Sequence, residues 1–311
     1  MQLTDNILMI KPVSFNYNAE TAVNNYYQKV LDNMTSKEIQ IKALKEFNGF
    51  VEILQNVGVN VIVFEDSKVP HTPDSIFPNN WISFHSDGSI CIFPMYAKNR
   101  RLERREDILD DLSNNYNLDV KQIKYFTDFE RHNKFLEGTG SMVLDRENKI
   151  CYAAISIRTD KSAVVQFCKE FSYIPVCFTA NQTVNQARLP IYHTNVMMCV
   201  ADKFVIICLD SIDNQQEREH VIKIITDSKK EIIEITEEQK NSFAGNMLQV
   251  RGDKVYLVMS RSAFISLTDQ QKKTIEKYCH ILYVSLDIIE YFGGGSARCM
   301  MAEIFLPKKL K

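Results

Sequence analysis

Apolar residues along this chain switch between helical and strand spacing in one recurring order. Leu44, Phe47, Val51 and Leu54 fall at the three- and four-residue intervals of a buried helix face. Thr35 and Glu38 supply a capping box ahead of them, and Gly58 can end the helix. The run Asn-Val-Ile-Val-Phe-Glu over 60–65 then reads as a strand. The same order returns as a predicted helix over 103–115 with a strand over 121–126, and as a helix over 160–172 with a strand over 174–180. A helix over 214–228 precedes a strand over 231–235. The last copy has Thr268 and Gln271 as a capping box, a helix to about Cys279 and a strand over 281–286.

Each of these strands leads into a loop of small and polar residues and then into apolar, β-rich sequence. The loops carry Asp74, Glu137, His193, Asn246 and Cys299, at successive spacings of 63, 56, 53 and 53 residues. A long repeat with one internal order predicts equal units arranged as a propeller or ring, with equivalent loops gathered on one face. An open α/β sheet would give the same alternation. What favours the ring is that four of the five loops hold a residue able to be, or to serve, a cysteine nucleophile.

Composition narrows the classes. The 311 residues are 45% hydrophobic and 24% charged, with a formal net charge of -2, which suits a globular protein with a large core. So even a balance gives no reason to expect nucleic acid or an anionic membrane as partner. The first residues lack the basic and apolar regions of a signal peptide, and no run has the length of a membrane span. Of the eight cysteines, Cys91, Cys151, Cys199 and Cys208 sit in apolar β-rich runs, where buried thiols are inert. No Cys-x-x-Cys pair or Cys/His cluster marks a zinc site. Reduced thiols in the cytoplasm are the expectation.

The candidate chemistry centres on Gly-Gly-Gly-Ser-Ala-Arg-Cys at 293–299. Three glycines permit positive φ and close approach. Arg298 is expected to place a positive charge beside a thiol that reacts only as thiolate, making Cys299 the candidate nucleophile. His193, at the mouth of a predicted strand, has the pKa range for moving the proton, although loop backbone could equally satisfy its ring. Glu137, flanked by Gly138 and Gly140, can orient that ring or bind a substrate N–H; a turn cap or surface ion pair competes with this. Asp74 opens the segment Asp-Ser-Ile-Phe-Pro-Asn-Asn-Trp, stiffened by Pro73 and Pro78, in which Phe77, Asn79 and Asn80 are candidates for shaping a substrate site. An Asx-turn is the structural alternative for Asp74. The charge run Arg100-Arg101-Leu102-Glu103-Arg104-Arg105-Glu106 reads as a solvated helix start, with one of its arginines reaching a substrate carboxylate as the lesser alternative.

The segments 72–81, 135–141, 192–195 and 294–299, in this order, resemble the guanidine-modifying (pentein) superfamily, most nearly its citrulline-utilisation hydrolases. The resemblance covers essentially the whole chain. It implies a single α/β domain over 1–311, a five-bladed pseudo-symmetric propeller with its active site on the central axis. It also implies Cys299 as nucleophile, His193 as acid/base, Glu137 as its partner, and no metal or organic cofactor. Many arginine-using relatives have aspartate where Asn195 and Asn80 stand here. A buried guanidinium needs paired charge, whereas an amide offers neutral donors and an acceptor suited to a ureido group. The expected activity is therefore cysteine-dependent hydrolysis of citrulline or a similar ureido amino acid, bound through Asp74, Phe77, Asn79, Asn80, Asn195 and Arg298. Action on a guanidinium, as deiminase, dimethylarginine hydrolase or amidinotransferase, is the alternative, and a non-catalytic binding protein of the same fold is the third. The small-molecule amino acid is the only partner implied, and the oligomeric state is left open.

Overall fold

The computed structural model describes residues 1–29 and 34–309; residues 30–33 and 310–311 of the expected domain lie outside the described residues. The described residues are α/β and build five three-stranded sheets of one pattern. In each, a short first strand pairs antiparallel with a second, a helical connection follows, and a third strand returns parallel to the second. One such sheet runs through Ile82–Phe84, Ser89–Ile92 and Gln122–Tyr125. The next uses Val143–Asp145, Ile150–Ala154 and Ile174–Phe178 around the helix Lys161–Phe171. A third uses Met198–Val200, Phe204–Ile207 and Glu231–Glu234 with the helix Gln215–Asp227. The fourth contains Leu248–Arg251, Val255–Ser260 and His280–Val284.

The remaining sheet joins the two ends of the chain. Asn6–Lys11 pairs parallel with Asn60–Glu65 across the helix Ser36–Asn56, and antiparallel with Ala302–Glu303. The strand formed by residues 6–11 escaped the helix–strand rhythm because nothing helical precedes it. Its partner at 302–303 is too short to leave a periodic trace. Pairing the two draws the Cys299 loop, just ahead of residue 302, into the same assembly as the Asp74 loop, which follows the third strand of that sheet.

Local sequence explains where the helices start. Both capping boxes form: the Thr35 and Thr268 side chains accept from the backbone N–H of Glu38 and Gln271, whose side chains reach back. The first long helix buries Ile39, Ala43, Phe47, Phe50 and Leu54, so its inner face is rotated from the predicted stripe, leaving Leu44 and Val51 at its edge. The charge run departs most from expectation. A 3₁₀ turn covers Asn99–Glu103, the helix begins only at Glu106, and Arg100 is buried together with Glu103.

Each candidate loop connects the third strand of one sheet to the first strand of the next. First strands of successive units touch at 302–303 against 82–84, 143–145 against 198–200, and 198–200 against 248–251. The turn Gly138–Ser141 packs on both 78–80 and 194–196, which brings three of the loops together. Among the described residues no helix is long and apolar enough to cross a membrane, and no three His, Cys, Asp or Glu side chains form a group able to hold a metal ion.

Candidate active site

Cys299, His193, Asp74, Phe77 and Asn80 line one narrow, nearly filled cavity of about 10 Å³, walled also by glycines 293–295. The helix Asp287–Gly293 ends there because Gly294 takes the left-handed conformation at φ +62°, open to glycine without penalty. Cys299 is 3% exposed. Its sulfur receives Asn246 Nδ2 at 3.2 Å and Asn195 Nδ2 at 3.5 Å.

Glu137 stands behind His193, and neither is accessible from outside. His193 Nε2–H donates to Glu137 Oε2 at 2.7 Å, while the backbone N–H of Tyr96 donates to Oε1 at 2.9 Å. Arg158 Nη1 lies 3.5 Å from Oε2. Burial alone would raise the Glu137 pKa, but the arginine charge and the imidazole bond overcome it and hold the carboxyl at about 2. Burial lowers His193 to about 4 against the opposing pull of Glu137, so the imidazole is neutral at pH 7. Because the carboxylate can only accept, the ring proton sits on Nε2 and Nδ1 keeps a lone pair.

Glu137 reaches this position because Gly138 adopts φ +48° with its Cα against the carbonyls of Asn79 and Asn80, where a Cβ would collide. Gly140 packs as closely on the site itself. A Cβ there would sit 2.8 Å from His193 Nδ1 and would overlap Asn80 Nδ2. Gly140→Ala is accordingly expected to tilt the imidazole and lower kcat by about 10²-fold with the fold retained, a loss set by mispositioning. Steady-state kinetics together with a thermal melt check this, and kcat within threefold of the parent would refute it.

Asp74 Oδ2 accepts from Asn18 Nδ2 at 2.8 Å and from Thr21 Oγ1 at 2.9 Å, both on the N-terminal segment whose Asn25 lines the cavity. Asp74 Oδ1 is buried with no protein partner. Burial raises the pKa of this carboxyl, and Arg100, at 3.9 Å, opposes the rise. An unsatisfied acceptor in such a place is one that a ligand N–H can complete.

Two buried arginines complete the cavity wall; the sequence offered Arg100 only as one unspecified member of its charge run, and Arg158 was missed. Arg100 bonds Glu103 through Nε and Nη2 (2.9 Å each), Asn80 Oδ1 at 2.7 Å, and the carbonyls of Asp74 and Phe77. It shapes the Asp74 loop from within, so the run at 100–106 is only partly a solvated face. Arg158 bonds Asn24 and the Thr21 carbonyl, and its guanidinium lies 4.9 Å from the Tyr192 ring centroid. The cue available in sequence was that Arg100 opens a run too dense in charge for one exposed helix turn. Arg158 carried no cue.

The other candidates divide. Asn79 does not line the cavity; its Nδ2 donates to Thr139 Oγ1 at 3.3 Å and ties the first loop to the Glu137 turn. Asn195 reaches the sulfur but lies outside the cavity lining, and its Oδ1 is unpartnered. Arg298 is a correction. Its Nη1 donates to the Met301 carbonyl at 2.8 Å and its Nη2 pairs with Glu303, in a separate cavity among the first strands. Within the turn at 297–300 the Arg298 side chain lines a different cavity from Cys299, and the carboxylate of Glu303 satisfies its charge.

A buried carboxylate–imidazole pair and a thiol in one cavity, on repeated three-stranded α/β units, define a member of the guanidine-modifying (pentein) superfamily. A family model described as N,N dimethylarginine dimethylhydrolase, eukaryotic, matches residues 11–306, and the chain belongs to that family. The matching description thus names dimethylarginine hydrolysis and not the citrulline-utilisation branch. No curated protein matches the chain. Among solved structures, the substrate-bound N-terminal domain of ArgZ, an arginine dihydrolase from the ornithine-ammonia cycle in cyanobacteria, is 17% identical with a TM-score of 0.74, covering 97% of this chain and 99% of that one. Apo ArgZ is 16% identical with the same TM-score, and the match covers 97% of this chain but only 41% of that longer one. DDAH from Pseudomonas aeruginosa, a cysteine-to-serine mutant complexed with citrulline, is 14% identical with a TM-score of 0.63, covering 96% of this chain and 99% of that one.

Proposed function

We propose that this hydrolase cleaves the C–N bond of a ureido amino acid, citrulline in the first place, with Cys299 as nucleophile, His193 as acid/base and Glu137 as the group that orients it. His193 takes the proton of the Cys299 thiol as the sulfur adds to the ureido carbon, and passes that proton to the departing amine as the C–N bond breaks. The resulting thiocarbamate is cleaved by water whose proton His193 takes, restoring the thiol and releasing a carbamate. The carbamate loses carbon dioxide, so citrulline and one water give ornithine, carbon dioxide and ammonia. In this reading Asp74 and Asn80 bind the ureido end, Phe77 packs beside it, and Asn195 steadies the sulfur.

The observation that carries the ureido reading is the charge balance of the cavity. Arg158 is matched by Glu137 and Arg100 by Glu103, with Asp74 also 3.9 Å from Arg100, while Asn80 and Asn195 are neutral. Burial raises the pKa of Asp74, the carboxylate with an open oxygen. A neutral ureido group adds no charge to this arrangement, whereas a guanidinium needs one to offset its own. The family match favours a second reading, hydrolysis of a guanidinium such as a dimethylated arginine, for which Asp74 would supply the counter-charge. The five sheets are read as the blades of one α/β propeller spanning 1–311, with the cavity on its axis. A cytoplasmic setting suits its eight free thiols.

Purified protein incubated separately with citrulline, arginine and N,N-dimethylarginine separates the readings. Equal amounts of ornithine and ammonia from citrulline alone support the proposal. Citrulline formed from arginine or dimethylarginine, with citrulline itself left intact, replaces it with guanidinium hydrolysis.

A further inference from the structure

The spacing of the five loops places Asn246 midway between His193 and Cys299, and the hydrolytic cycle assigns it no step. We propose that Asn246, assisted by Asn195, stabilises the Cys299 sulfur as a thiolate by donating side-chain N–H groups to it. The inference rests on Cys299 being the nucleophile.

The orientation of the Asn246 amide follows from its partners. Its Oδ1 accepts from the backbone N–H of Arg298 at 3.0 Å, and Nδ2 donates to the Asn195 carbonyl at 3.0 Å. Turning the amide over would set two donors and two acceptors face to face, so the second Nδ2 hydrogen is directed at the sulfur, 3.2 Å away. Asn195 Nδ2 approaches the same sulfur at 3.5 Å. A thiolate is the better acceptor for both, because hydrogen bonds to an ionised partner are the stronger ones.

The cationic groups near the sulfur are committed elsewhere or uncharged. The Arg298 guanidinium is occupied by Glu303 and the Met301 carbonyl. Burial keeps His193 neutral at pH 7. Across the cavity Cys299 shares the lining with Asp74, Arg100, Arg158 and Tyr192, and Glu137 lies behind His193. Arg100 and Arg158 are paired with Glu103 and Glu137, and burial holds the Tyr192 hydroxyl in its protonated form. The two amides are the groups donating directly to the sulfur. An uncharged substrate brings no cation to assist ionisation, so a donor pair built into the protein fits the ureido chemistry.

The test needs no substrate. Carbamidomethylation of Cys299 by iodoacetamide is followed by peptide mass spectrometry across pH in the parent and in Asn246→Ala. The variant is expected to move the alkylation midpoint upward by about one pH unit and to slow the reaction at pH 7 about tenfold, as for losing a hydrogen bond to a charged group. The rates should converge at high pH. An unmoved midpoint overturns the proposal, since a merely structural asparagine would change packing without changing the titration. If the variant does not fold, the unaltered protein decides: the ¹⁵N-labelled Asn246 side-chain resonance should titrate with the alkylation midpoint, and a resonance indifferent to it overturns the donor role. Absence of turnover on every amino acid tried, with the midpoint still shifted by the variant, would remove the hydrolase reading and leave the donor role standing.

Discussion

Cys299→Ser should abolish turnover, with a loss of about 10³-fold or more, while substrate affinity stays within about threefold of the parent. The serine hydroxyl is close in size and can accept the same N–H groups from Asn195 and Asn246, so the cavity is kept. What is lost is ionisation, because an alcohol remains protonated where a thiol begins to dissociate. Equilibrium binding of citrulline to the variant and rapid-quench mass spectrometry on the parent make the pair of measurements. The parent should carry a carbamoyl adduct on residue 299 during turnover, and the variant none. Turnover in the variant at a tenth of the parent rate or better would remove the nucleophile assignment, and with it the covalent route.

The parts of this site legible in the sequence were those marked by spacing. Glu137, His193 and Cys299 stand at equivalent points of three of the five repeated units, so the unit length that sets the rhythm also brings their loops together. The glycines beside Glu137 advertised a close approach, and the structure supplies it against Asn79, Asn80 and His193. Side-chain direction was not legible. Arg298 adjoins the nucleophile in sequence, yet the turn sends its guanidinium to Glu303, and adjacency along a chain does not fix which side of it a side chain serves. Arg158 illustrates the converse. It belongs to no motif, but a long side chain lets it cross from the 156–159 turn to Thr21, Asn24 and Glu137, contacts between residues far apart in sequence. The closure of the sheet through residues 6–11 and 302–303 was hidden for the same reason, since a two-residue strand has no period to detect.

Asn246 lies between these cases. The spacing identified the position, but an amide carries no evident chemistry until its neighbours fix which end faces the sulfur. Its role is visible only once the backbone N–H of Arg298 is seen to claim the oxygen. Arg298 thus reaches the Cys299 environment through its peptide N–H on Asn246, while its side chain pairs with Glu303.

Glu137→Gln is the second large effect, and it separates orientation from charge. The amide has one acceptor where the carboxylate has two, and three donors converge on it: Tyr96 N–H, His193 Nε2–H and Arg158 Nη1. If the amide nitrogen faces His193, the imidazole must accept at Nε2, and its proton moves to Nδ1. That removes the lone pair with which the ring acts as base. A fall in kcat of about 10²- to 10⁴-fold with KM little changed is expected, comparable to losing the orienting carboxylate of a catalytic triad. Stability should fall as well, by about 3 kcal/mol at pH 7, because Arg158 is left buried without its counter-charge. The pH dependence of that loss has a definite sign. Glu137 is held at about 2 in the folded protein against an ordinary value of 4.5. Its contribution is therefore complete above about pH 4.5 and lost as pH falls through about 2. Urea unfolding of parent and variant should show the widest gap near neutrality and a closing gap below pH 4.5. A variant with kcat within threefold of the parent would show that His193 does not depend on Glu137 for its tautomer.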